Sequence, residues 1–132
     1  MRIFKNKWFG RFARKEAISD ESLHEAVRLI EAGNCDADLG AGVFKQRIAR
    51  PGEGRSGGYR VILCFKSEER AFFVYGFAKS SRPNIAQDET QEFKKLAKIL
   101  FAMTDEQLEL LLQHGDFNEL LSKGGGHNDQ EL

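Results

Sequence analysis

Cysteine and histidine are scarce in this chain and no apolar run is long, and each shortage removes a class of function. Cys35 and Cys64 fall on an expected loop and an expected inner strand, with no metal-ligand spacing between them. Two thiols in 132 residues make no disulfide framework and read as reduced groups in a reducing cytoplasm. The three histidines are as dispersed. His24 falls in a helix, His114 near a helix C-terminus where a cation suits the dipole, and His127 in a polar tail. No zinc spacing arises from them, so neither metal nor cofactor is expected. The G-x-S-x-G and H-x-E…C-x-x-C patterns are missing. No stretch approaches the ~20 apolar residues of a membrane span, and no membrane partner is expected. The basic N-terminus, "MRIFKNKWFGRFARK", has no apolar core of signal-peptide length. Its Phe4, Trp8 and Phe12 read as a core-facing stripe, which an organellar leader would waste.

What is present suits one α/β (α+β) domain with a true core. Trp8, Phe9 and Phe12 predict a short helix within Asn6 to Glu16. Ser19 or Asp20 caps a second helix with a stripe of Leu23, Ala26, Val27 and Ile30, and Gly33 suits its left-handed end. "NCDADLGAG" reads as a loop. Strands are expected at Val43–Ala49, Tyr59–Phe65 and Ala71–Ala78, the last two joined tightly by "KSEER". Asn84 is placed to cap a helix carrying Phe93, Leu96, Ala97, Leu100 and Phe101. Thr104 with Gln107 makes a capping box for one more, whose Leu108, Leu111 and Leu112 are expected to pack on the core. The end, "SKGGGHNDQEL", has little apolar content and is expected to be disordered.

The stretch "RPGEGRSGGYR" holds a literal G-x-G-x-x-G at Gly52, Gly54 and Gly57. A dinucleotide site needs a helix to open directly after these glycines. Here a strand precedes them and another follows, so no helix N-terminus faces a phosphate. The charge around this loop is more informative. The chain is neutral, yet nine cations and only three anions lie between Lys45 and Arg82. Strand alternation puts Phe44 and Ile48 on one face of the first strand, Lys45 and Arg47 on the other. On the next strand Tyr59, Val61, Leu63 and Phe65 alternate with Arg60, Ile62 and Cys64. The third strand, "AFFVYGFA", is apolar on both faces and therefore expected to be central, with Lys79 just beyond its end.

Lys45, Arg47, Arg60 and Lys79 on one open face would make a polyanion site. The chain offers no acid or base of the usual kind: Glu68 and Glu69 sit in a turn, and Tyr59 and Tyr75 read as core or rim aromatics. A cation cluster still acts on phosphodiesters by stabilising the charge that grows on phosphorus. With RNA the 2′-hydroxyl is the nucleophile, so the substrate attacks itself. The glycines of the loop let backbone approach a phosphate, with Arg50 and Arg55 reaching the strand on either side.

"FKQRIARPGEGRSGGYRVI", "FFVYGFAKSSRPNI", "KWFGRFARKEAISDESLHEA" and "DADLGAGVFKQR" together resemble the RelE-like toxins of bacterial toxin–antitoxin pairs, from Phe4 to Phe101. The resemblance implies a helical hairpin packed on a small, mostly antiparallel twisted sheet, with extra C-terminal helices. The toxin domain is then expected over 1–102, with a helical extension over 103–121 and a tail over 122–132 that go beyond the minimal toxin. The resemblance also implies an endoribonuclease of the cytoplasm that cleaves mRNA on the ribosome and is held off by an antitoxin. That antitoxin is expected to be a helix-turn-helix protein, through which alone operator DNA is met. Arg60 matches the arginine facing the scissile phosphate, Lys45 and Arg47 the basic pair before the loop, and Lys79 the basic residue ending the next strand. Arg50, Arg55, Arg82 and Tyr59 complete the expected RNA contacts. The chain departs from the family where a tyrosine follows the last basic residue: Ile85 stands near that place, so the aromatic is either missing or supplied by another residue such as Tyr59. The alternative is a ParE-like toxin that binds gyrase without cutting RNA, or a regulatory partner acting with its antitoxin on DNA.

Overall fold

The computed structural model describes residues 1–50 and 54–121; at residue 50 and residues 54–57 it describes backbone alone. The side chains of Arg50 and Arg55, the 122–132 tail and His127 therefore lie outside the described residues. The described elements run β1 (Arg2–Asn6), α1 (Lys7–Lys15), α2 (Asp20–Glu31), β2 (Ala37–Gly40), β3 (Val43–Arg50), β4 (Gly54–Lys66), β5 (Arg70–Ala78), α3 (Gln87–Ala102), α4 (Asp105–His114) and β6 (Phe117–Glu119). Six strands form one sheet in the order β2-β3-β4-β5-β1-β6. Every pairing is antiparallel except β1 with β5.

α1, α2 and α4 start where a polar side chain satisfies a free N–H group of the first turn. Asn6 Oδ1 accepts from the Phe9 N–H at 2.7 Å, and Ser19 Oγ accepts from Ser22 at 3.1 Å. Thr104 and Gln107 bond reciprocally at 3.1 and 2.9 Å, as the capping box requires. Gly33 ends α2 with φ +83°, a left-handed value that only glycine adopts without strain. α1 and α2 cover one sheet face through Phe9, Ala13, Leu23, Val27 and Ile30, against Ile48, Val61, Leu63 and Phe73. α3 and α4 cover the other through Ala97, Leu100 and Leu108, against Phe4, Ile62, Cys64 and Phe72. β5 is thus covered on both faces, and Leu111 and Leu112 pack beside Leu108 rather than standing free. Residues 103–121 form α4 and β6, and β6 pairs with β1 at the sheet edge.

Three local expectations are corrected. Phe4, Trp8 and Phe12 do not form one core stripe. Phe4 belongs to β1 and is stacked 5.0 Å from Phe72 under α3 and α4, Phe12 faces the other layer, and Trp8 stays 40% exposed at the border. β1 escaped notice because its partner lies some sixty-odd residues away and pairs in parallel, which no local pattern marks. Part of "NCDADLGAG", expected as a loop, is the edge strand β2, held to β3 by three registered pairs. Asn84 does not cap α3. The N-cap is Ala86, whose N–H donates to Glu89 Oε1 at 2.7 Å, while Asn84 turns its side chain toward β3.

α1 meets the sheet at Gly76, where a Cβ would lie 2.5 Å from the Phe12 ring. The close approach needs a residue without a side chain. Gly76→Ala should cost about 1–3 kcal/mol of stability by overpacking, read from urea unfolding. Pairing it with Phe12→Leu should recover part of that loss through the shared contact; wild-type stability in Gly76→Ala alone would mean that α1 is free to shift.

Candidate functional site

β3 and β4 place their cations by register. Arg47 is opposite Arg60 and Lys45 is opposite Ile62, so all three basic side chains share the α3–α4 face of the sheet. Phe77 of β5 flanks Arg60 on the other side. Regular alternation along β5 would not put it there. The β4–β5 register shifts between Ile62 and Leu63, which pair with Tyr75 and Phe73, so Val74 has no partner. Before this bulge Ala71 and Phe73 face α1 and α2; after it Gly76 and Ala78 do, while Tyr75 joins Val74 on the opposite face. The bulge turns the end of β5 over, a known way of re-aiming side chains. Lys79 is exposed in the turn just past the end of β5, with its N–H bonded to the Gly58 carbonyl at 3.2 Å.

Arg60 is the unusual member. It is 7% exposed, and its Nη1 has no hydrogen-bond partner among the described residues. Desolvation holds its pKa below the usual guanidinium range, the Arg47 charge adds to that, and Asp36 opposes it. Arg47 is better placed: its Nε lies 3.7 Å from Asp36 Oδ1, and its N–H donates to the same carboxylate. Lys45 donates to Asn84 Oδ1 at 3.1 Å. The face therefore gathers a buried guanidinium with an open N–H, a second arginine across the strand, and a lysine held by an amide. Such a set attracts a multiply charged anion of phosphate type.

Of the other expected RNA contacts, Arg82 borders this face and Tyr59 does not. Arg82 is fully engaged: it forks onto Glu89 at 3.2 and 2.6 Å, reaches the Tyr75 hydroxyl at 3.1 Å and the Asn84 carbonyl at 2.9 Å, and lies 5.6 Å over Phe77. The Glu89 bond raises the Arg82 pKa, and Arg82 followed by the Ala86 N–H lowers that of Glu89. Tyr59 lies on the opposite face from Arg60, 2% exposed among the α1–α2 core, and its hydroxyl donates to Glu16 at 2.8 Å. Ile85 packs half-buried beneath α3. The aromatic on the cationic face is Tyr75, stacked on Trp8 at 4.7 Å and near Phe93 and Phe77.

Sequence reasoning missed Asn84, Asp36 and Phe77 as parts of this site. Asn84 was assigned to a cap and Asp36 to a loop, and Phe77 changes face only through the bulge. Among the described residues no helix is long and apolar enough to cross a membrane.

No curated protein sequence matches the chain. A family described as "RelE toxin of RelE / RelB toxin-antitoxin system" matches residues 1–120, which includes every element of both layers and the sheet. A toxin of this kind has a cognate antitoxin as its partner. With the mixed sheet, the helical hairpin and the basic β3–β4 face in agreement, the chain belongs to the RelE family of toxin–antitoxin toxins.

Proposed function

We propose that the protein is an endoribonuclease that cleaves mRNA on the ribosome, with Arg60 meeting the scissile phosphate. The observation that carries this reading is the buried Arg60 guanidinium with Nη1 unpartnered among the described residues. A desolvated cation beside a second arginine is unfavourable until an anion arrives. The charge on that anion grows as the RNA 2′-hydroxyl attacks, so the guanidinium binds the transition state more tightly than the ground state. The 2′-oxygen bonds to phosphorus and the bond to the 5′-oxygen breaks. The 2′-hydroxyl proton leaves to water, and the 5′-oxygen takes one from water.

Arg47 and Lys79 flank this point as further phosphate contacts, and Lys45 is a third, oriented by Asn84. Arg82 acts at one remove. Its bonds to Glu89 and to the Asn84 carbonyl fix the turn that presents Asn84 to Lys45. Tyr59 anchors Glu16 and the hairpin rather than RNA. Arg50 and Arg55 of the β3–β4 loop contact the flanking phosphates, which positions the message without reading its sequence. The antitoxin, a small helix-turn-helix protein, covers the cations and makes the contact with operator DNA.

Induction without the antitoxin should halt growth and translation, with new 5′ ends inside coding regions when transcript ends are mapped. Intact transcripts accompanied by DNA damage would replace this reading with gyrase binding.

Arg60→Met should lower cleavage by about 10²–10³-fold, the loss expected for one donor to a developing anion. Its thermal midpoint should equal or exceed that of the wild type, since the change removes a buried unpaired charge and keeps the bulk. Undiminished cleavage by the folded variant would take Arg60 out of the site.

A further inference from the structure

The outer face of α1 is not explained by the core or by the cationic face of the sheet. The helix reads KWFGRFARK and contains no acidic residue. Phe9, Gly10 and Ala13 are buried, and Lys7, Arg11, Arg14 and Lys15 are exposed. At about 100° per residue these four cations and Trp8 occupy one contiguous arc, with Trp8 at its border. None of the four forms an ion pair or a side-chain hydrogen bond among the described residues. Some surface cations elsewhere are paired, as at Arg2, Arg28 and Arg82, and others such as Lys79 and Lys98 are not, but only α1 sets four unpaired ones on a single helix face among the described residues. The stripe is therefore a local excess of positive charge on a neutral protein.

Trp8 connects this stripe to the candidate site. It is 40% exposed, and its ring lies against Phe12 at 5.3 Å and Tyr75 at 4.7 Å, which leaves it pinned at the border of the sheet. Tyr75 is on the cationic face, 6.1 Å from Phe77, which is registered opposite Arg60. β1 covers β5 only as far as Phe73, and Asn6 closes the gap by donating to the Val74 carbonyl at 3.1 Å before α1 begins. The path from Arg60 to α1 thus runs over Phe77, Tyr75 and Trp8, and the Glu89 carboxylate beside it is paired with Arg82.

We propose that the outer face of α1, with Trp8, is a second RNA-contact surface that takes the single strand flanking the cleavage point. Lys7, Arg11, Arg14 and Lys15 meet consecutive phosphates, and one base stacks on the exposed part of the Trp8 indole. Cations interleaved with a held aromatic are the general means of gripping single-stranded RNA without sequence preference. An acidic polypeptide would satisfy the charges but has no use for the indole platform. The proposal rests on RNA being the substrate of the Arg60 cluster.

Trp8 is the only tryptophan in the chain, so its fluorescence reports on this surface alone. The probe is a 2′-O-methyl RNA oligonucleotide, which lacks the attacking hydroxyl and is not cleaved. Its binding should quench Trp8. Arg11→Ala/Lys15→Ala should weaken binding on the order of tenfold near 0.1 M salt and reduce the salt slope by roughly 1.4, two single-strand phosphate contacts. The rate of cleavage at saturating RNA should not change. Bound oligonucleotide without quenching, or an unaltered salt slope in the double variant, would overturn the proposal. So would quenching by poly-glutamate but not by RNA, which would assign the stripe to an acidic polypeptide. Arg60→Met separates the two readings. Quenching and salt slope retained in that variant support the α1 surface whether or not the wild type cleaves RNA. Arg60-dependent cleavage with no Trp8 response sinks this surface alone.

Discussion

β4 is bonded on both flanks, with Arg47 opposite Arg60 on one side and Phe77 opposite it on the other. Arg47 reaches the face of Arg60 by regular β3–β4 alternation, but Phe77 does so only because the β4–β5 ladder carries a bulge at Val74. Strand side chains alternate with a period of two, so a one-residue insertion reverses every position after it. Without the bulge, Phe77 would turn toward α1 and α2, and Gly76 would face α3. The Phe12 ring would then meet a side chain where it now meets glycine. The seat of α1 and the place of Phe77 beside Arg60 thus follow from the same irregularity.

The two ends of that face treat arginine in opposite ways. Arg82 is matched by Glu89, a tyrosine hydroxyl and a backbone carbonyl, so its charge is spent within the fold and its pKa rises. Arg60 has burial and a second arginine for neighbours, so its pKa falls. The first arrangement organises a turn. The second stores electrostatic cost at a point that a phosphate would relieve, which is the usual relation between a destabilised cluster and a binding site. Asn84 links them, bonded through its backbone to Arg82 and through its side chain to Lys45.

The absence of a tyrosine near Ile85 alters where an aromatic can act. Ile85 is packed under α3, and Tyr59 is on the far side of the sheet. Aromatic surface on the cationic side instead comes from Tyr75 and, past the sheet border, Trp8. These rings come from β5 and from the N-terminal helix, not from the turn that carries Ile85.

Several features were legible in the residues themselves because they depend on neighbours in sequence. Ser19 and the Thr104–Gln107 pair cap as read, since a cap is closed within one turn. The common face of Lys45, Arg47 and Arg60 follows from alternation within two strands joined by a short loop. The apolar character of β5 correctly placed it between two layers. Other features needed the assembled chain. β1 is a strand only because β5 offers it a parallel edge, and β2 only because β3 does. Arg82 looked as free as Arg60 until α3 brought Glu89 against it. The bulge at Val74 belongs to a pair of strands, so no pattern within β5 could reveal that its far end is turned over. Sequence by itself determined the properties that repeat along one segment. Tertiary structure decided the register between segments, because a hydrogen-bond ladder is set by both of its strands at once.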